Sequence, residues 1–144
     1  MSDIQKPKIQ PGIYRNRKNQ KLYFFTGEVG KDSETLEWKT AYHALYDDGE
    51  IWYRPTSIFF EEKEPGNPKS TRFELICNLS SRAKNMILPG SRVYEQGDGS
   101  FRPIYNVVSV AETHTGICVA ISSPCEKIKV LTAGKYFMNY KSAE

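Results

Sequence analysis

Trp38-Lys39-Thr40-Ala41-Tyr42-His43-Ala44-Leu45-Tyr46, then Asp47-Asp48-Gly49-Glu50, then Ile51-Trp52-Tyr53, is the stretch on which the fold turns. Trp38, Thr40, Tyr42, Ala44 and Tyr46 fall on one side of an extended chain. Glu37, Lys39, Ala41, His43 and Leu45 fall on the other, mostly polar side. A period of two belongs to a strand. Asp48-Gly49 tolerates positive φ, and Ile51-Trp52-Tyr53 resumes a β-forming composition, so the stretch predicts a hairpin. Working outward, Pro11-Gly12 is a turn into Ile13-Tyr14-Arg15, Asn16 to Gln20 is a polar loop, and Leu22 to Val29 is a second strand. Pro55 ends the Trp52 strand because it lacks the ladder N–H, and Thr56-Ser57 begins a single helical turn before Ile58-Phe59-Phe60. Five short strands within about 55 residues predict a small barrel.

Pro65-Gly66-Asn67-Pro68 is the strongest breaker cluster and marks a boundary. The expected organisation is a barrel over residues 9–64, a linker over 65–72 and a second β-rich subdomain over 73–140. That second half opens with the one convincing helix, Asn78 to Leu88, which Ser80 or Ser81 caps and Leu88-Pro89-Gly90 closes. Strand patterns follow at Ser91 to Glu95, Phe101 to Ala111, Ile117 to Ser122, Glu126 to Leu131 and Lys135 to Tyr140, with a turn at Gln96-Gly97-Asp98-Gly99. Pro11-Gly12 and Glu34-Thr35 recur 78 positions later as Pro89-Gly90 and Glu112-Thr113, and Val29 matches Val107. Two diverged β-barrel halves are one reading of this recurrence, and a single larger β-domain is the other. The fold class is mostly β with one short helix.

The 144 residues suit one ordinary domain or two very small ones. A net charge of +3, from 20 Lys and Arg against 17 Asp and Glu, names no polyanion partner. It divides unevenly, as −1 over residues 1–64 and +4 over 65–144. With 9 Tyr, 7 Phe and 2 Trp the chain is too aromatic for a disordered tail or a coiled coil. No apolar run approaches the roughly 20 residues of a membrane span, and Met1 to Pro7 has no apolar segment, so no secretory signal is expected. Cys77, Cys118 and Cys125 form no CxxC pair, as expected of free thiols in the cytoplasm.

Pro11-Gly12-Ile13-Tyr14-Arg15, Glu34-Thr35, Tyr42-His43-Ala44-Leu45-Tyr46 and Trp52-Tyr53-Arg54-Pro55 with Phe59 together carry a resemblance. Residues 9–62 resemble a short family of unknown function from bacteria and their phages, whose pattern reads PGxYR…ET…YxALY…WxRP…F. The resemblance implies an SH3-like small barrel of about five strands, the architecture that the alternation predicts. It implies no activity.

Chemistry-bearing residues are sparse. His43 and His114 are the only histidines. Cys118 lies close to His114 across Gly116, but it falls with Ala120 on one strand face, where a small buried thiol is the heavier reading. No His or Cys pair has zinc-site spacing and no phosphate-cradling GxxxxGK[ST] loop is present. The chain is therefore expected to be no enzyme, with no cofactor and no metal. The candidate binding residues are cations beside rings, which together suit an anion that carries a planar group. Tyr14 and Arg15 head a basic stretch with Arg17, Lys18 and Lys21, whose alternative is a solvated loop. Trp52 and Arg54 are two apart and share a strand face with Tyr42 and Tyr46 nearby. The heavier reading of Trp52 is barrel core, with Arg54 paired to Glu34. Glu34 otherwise selects a ligand amine or hydroxyl. Arg92, Arg102 and Tyr105 are the matching candidates of the second half.

The function expected is non-catalytic recognition of a small nucleotide-like anionic ligand, in a pocket that a homo-oligomer shares between subunits. In a phage such a protein would sequester a host signalling nucleotide. The alternatives are a nucleic-acid-binding small barrel and a protein or peptide interaction module.

Overall fold

The computed structural model describes residues 6–97, 103–124 and 126–143, and divides the chain into two compact units. The first comprises Met1–His43 and Ile51–Ser81, the second Ala44–Glu50 and Arg82–Glu144. Each is mostly β, and no helix among the described residues is long and apolar enough to cross a membrane.

In the first unit the strands are β1 (Gly12–Asn16), β2 (Leu22–Phe25), β3 (Val29–Lys31), β4 (Trp38–Ala44), β5 (Ile51–Pro55) and β6 (Phe73–Asn78). They pair in the order β3-β4-β2-β1-β6, with β5 also on β4. Leu22 to Val29 bends at Gly27, where φ is +89°, and so yields β2 and β3 as two arms of one run. The Asn16 to Gln20 turn is closed by Asn16, whose Oδ1 accepts from Lys18 N–H at 2.8 Å while its carbonyl accepts from Gln20 N–H. Every residue of β2 is buried. Phe25 anchors the core against Tyr14, Tyr42, Phe59 and Phe73, with ring centroids 4.3–5.3 Å away. The helical turn expected at Thr56 is helix α1 (Thr56–Phe60), held through a buried Thr40–Thr56 hydroxyl bond of 2.8 Å. Phe73–Asn78 differs from the expected organisation. It is the antiparallel partner of β1, so the break between the units follows Ser81 and not the Pro65 cluster. The unpaired side of β1 claims this segment as its ladder, which a local breaker signal does not register.

In the second unit, β7 (Arg92–Glu95), β8 (Ile104–Thr113), β9 (Gly116–Ser123), β10 (Glu126–Thr132) and β11 (Tyr140–Ser142) pair in the order β10-β9-β8-β7-β11. The helix expected over Asn78 to Leu88 shrinks to a 3-10 turn at Ser81–Ala83 and helix α2 (Lys84–Ile87), since β6 takes its first residue. The strand expected over Lys135 to Tyr140 is instead helix α3 (Ala133–Asn139) leading into β11. Tyr136 and Tyr140, four apart, stack at 5.4 Å, and Asn139 Nδ2 donates to Lys135 O. Leu45 is fully buried in this unit, and its carbonyl accepts from Val110 N–H.

The two units share a wiring. With β2 and β3 counted as one bent strand, each sheet runs fifth, first, second, third, fourth, and each has helical residues before its last strand. The registers agree too. Tyr42 opposite Trp52 and Thr40 opposite Arg54, shifted by 78 positions, give Ala120 opposite Val130 and Cys118 opposite Thr132, both observed pairs. The diverged-repeat reading has this topological basis.

Tyrosine hydroxyls stitch the second unit together. Tyr136 donates to Met86 O, and Tyr140 donates to Glu95 Oε2 at 2.9 Å. Burial, then the hydrogen bond and charge of Glu95, push Tyr140 up to about 12 from 10.0. A group whose folded value is raised contributes stability that is intact below the unfolded value and is lost as pH climbs through the folded one. The second unit is therefore expected to weaken between pH 10.0 and about 12. Thermal melts across that window should fall more steeply for the native chain than for Tyr140→Phe, and equal slopes would contradict the assignment.

Candidate functional site

The β4–β5 hairpin presents the site. Its cross-strand pairs place Thr40, Tyr42, Trp52 and Arg54 on one face, because directly opposite residues point the same way. Tyr42 is only 4% exposed and its ring stacks on Phe25 at 5.3 Å and 17°. That leaves its hydroxyl at the edge of the core, where it accepts from Arg54 Nε–H at 2.7 Å. Arg54 is thus anchored at Nε, and among the described residues nothing else pairs with its guanidinium. Trp52 is 49% exposed, which corrects the expectation that it is barrel core. It lies on the outer strand β5, opposite Tyr42 in register. The predicted Arg54–Glu34 pairing is also not what forms, since Arg54 turns to Tyr42.

The remaining described candidates belong to other elements. Tyr14 packs on Phe25 and donates to Gln10 O at 2.7 Å, and burial pushes its hydroxyl up from the ordinary value. Arg15 pairs with Glu74 across the β1–β6 ladder at 2.6 Å. Glu34 is exposed in the β3–β4 turn, where Asp32 Oδ1 accepts from the Glu34 and Thr35 N–H groups. Those two donors, with Lys39 at 3.5 Å, hold Asp32 below the usual carboxylate range. Tyr46, Arg92 and Tyr105 belong to the second unit. Tyr46 is half-buried in the hairpin tip, and Arg92 is exposed on β7 with its carbonyl accepting from Ala143 N–H. Tyr105 is 2% exposed, beneath the Lys129 ammonium 5.2 Å from its ring. Arg102 and the Asp98-Gly99 half of the expected turn lie outside the described residues, as does Cys125. Of the six candidates in the first unit, the structure gathers three: Tyr42, Trp52 and Arg54. The equivalent positions of the second unit hold Ala120, Val130 and Thr132, so this chemistry belongs to the first unit alone.

Cys118 is buried with its sulfur 3.4 Å and 3.6 Å from the Thr113 and Thr115 hydroxyls, while His114 is exposed in the adjoining turn. Among the described residues no group of three or more His, Cys, Asp or Glu is placed to hold a metal ion. A cationic cleft that the sequence reading missed involves Lys63 and Arg72. Arg72 fell inside the segment expected to be a linker, and only the Arg17 N–H to Arg72 O bond of 2.8 Å reveals its neighbour.

No curated protein and no solved structure matches this chain. Residues 12–75, which carry Tyr42, Trp52 and Arg54, match the model of a family described as a protein of unknown function (DUF1653), in keeping with the resemblance seen over residues 9–62.

Proposed function

We propose that the first unit is a non-catalytic binding module for a small nucleotide-like anionic ligand, taken at the Trp52–Arg54 face. The observation that carries this is the anchoring of Arg54. Its Nε is committed to a core hydroxyl, so the fork of the guanidinium is held in place before any ligand arrives. A half-exposed indole on the same face supplies a platform for a planar ring, and the fork supplies paired donors for a phosphate. The module works in the cytoplasm as a homo-oligomer and, in a phage, would sequester a host signalling nucleotide.

Native mass spectrometry of protein purified from cell extract tests the proposal, since it reads both the subunit number and any bound small molecule. The expected result is added mass in the nucleotide range that is lost on denaturation. For the nucleotide so identified, Arg54→Gln should weaken binding about tenfold or more by calorimetry, and Trp52→Ala should cost a further 5- to 100-fold or so through lost stacking. A bare mass, with no nucleotide bound by calorimetry, would overturn the reading.

A further inference from the structure

A second group of cations in the first unit plays no part in the Trp52–Arg54 face. A cleft of about 330 Å³ is lined by Arg17, Lys18, Lys63 and Arg72, with Glu64 as the one carboxylate. Backbone bonds bring these distant residues together. Arg17 N–H donates to Arg72 O at 2.8 Å and Lys63 N–H to Ser70 O at 3.4 Å, while Lys18 is set locally, its N–H donating to the Asn16 side-chain Oδ1 at 2.8 Å. Arg17 Nη1 also donates to Lys69 O.

The charges gathered in this way are poorly compensated. Arg17 reaches Glu74 at 3.4 Å, but that carboxylate is closer to Arg15, at 2.6 Å. Glu64 accepts from Asn67 Nδ2 at 3.0 Å and pairs with none of the cations. Among the described residues, the side chains of Lys18, Lys63 and Arg72 have no carboxylate or carbonyl partner. The Nε atoms of Arg17 and Arg72 are shut off from solvent without an acceptor. Four like charges in one cleft repel one another, and a buried N–H without an acceptor carries the penalty of a lost hydrogen bond. Such groups call for a partner that the chain itself does not supply.

The lining also says what kind of ligand fits. Ser70 Oγ–H is donated to Asn67 O at 2.7 Å and Thr71 Oγ1–H to Phe73 O at 3.0 Å. The hydroxyls therefore offer no free proton, and recognition falls to guanidinium and ammonium N–H. A lone carboxylate, with one charge, would leave most of the cations uncompensated. Several charges on closely spaced oxygens answer them, and an arginine fork meets two such oxygens at once.

We infer that the Arg17–Lys18–Lys63–Arg72 cleft is a binding site for a compact polyanionic phosphate, either inorganic pyrophosphate or the terminal phosphates of an organic phosphate. It stands independently of any ligand on the Trp52–Arg54 face.

The test is a backbone-amide NMR titration of the full chain with sodium pyrophosphate at constant ionic strength. Saturable shifts are expected at the amides of Arg17, Lys18, Lys63, Ser70, Thr71 and Arg72, with Ile51 to Arg54 unmoved. Arg72→Gln should weaken binding about tenfold or more. Arg72→Lys keeps the charge and loses the fork, so it should fall between the two. Arg54→Gln should leave the pyrophosphate shifts at the Arg17, Lys18, Lys63 and Arg72 amides as they are, which separates this cleft from the proposed nucleotide face. An organic diphosphate that moves the same amides more tightly than pyrophosphate would identify the source as organic, and equal affinity would identify it as inorganic. No shifts by about 10 mM, weaker than almost any specific site, would overturn the inference. So would shifts spread over all surface lysines, or shifts from an oligonucleotide where pyrophosphate produces none.

Discussion

Phe25→Ala is expected to destabilise the first unit by about 3–5 kcal/mol, the usual cost of emptying a buried phenylalanine site. Phe25 is 1% exposed, and four rings converge on it: Tyr14, Tyr42, Phe59 and Phe73. Alanine removes the shared centre of all four contacts. Those rings are carried by β1, β4, α1 and β6, so no single side chain can swing in to fill the space. Against a total stability of roughly 5–15 kcal/mol for a domain, a loss of this size is close to unfolding. Urea denaturation followed by circular dichroism measures it. Phe25→Leu, which keeps most of the volume, should lose about half as much or less. A loss under about 1 kcal/mol for the alanine variant would mean that the cluster repacks freely, and would contradict the picture of Phe25 as its hub.

Gly12→Ala is expected to cost about 3 kcal/mol or more, at or beyond the upper end of ordinary overpacking. A Cβ added at Gly12 would lie 2.2 Å from the Cys77 carbonyl oxygen, a backbone atom of β6 that has no rotamer through which to retreat. Relief requires β1 and β6 to part where Gly12 faces Asn78, which breaks ladder hydrogen bonds as well as packing. Hydrogen exchange distinguishes the two outcomes. The amides of β6 should lose protection in the variant while those of β8 and β9 keep it. Unchanged protection along β6 would show that the strands do not approach so closely. The glycine of the Pro11-Gly12-Ile13-Tyr14-Arg15 motif thus has a steric reason to be there.

Much of this arrangement was legible in the chain, and the parts that were not share a cause. The hairpin from Trp38 to Tyr53 follows from alternation and a turn signal, both local. The shared face of Trp52 and Arg54 follows from their spacing of two. Trp52 was expected inside because large aromatics usually are, and only the position of β5 beside a single neighbour leaves it half open. Lys135 to Tyr140 is aromatic enough to resemble a strand, yet the chain coils so that Tyr136 and Tyr140 meet on one side. Tertiary packing outweighs intrinsic preference there. The phosphate cleft lay furthest from view, since Arg17 and Arg72 are joined through a backbone hydrogen bond between segments that no sequence pattern links.

The pairing of β1 with β6 also has a consequence in time. Gly12 faces Asn78, and Arg15 is neutralised by Glu74, so within this unit a strand made early is completed by one made late. At about 5–20 residues per second, the intervening stretch takes roughly 3–13 s to synthesise. For that interval the nascent chain carries β1 with one edge unsatisfied and a pair of arginines without their shared carboxylate, and it is during those seconds that a chaperone or a neighbouring nascent chain would find it most receptive.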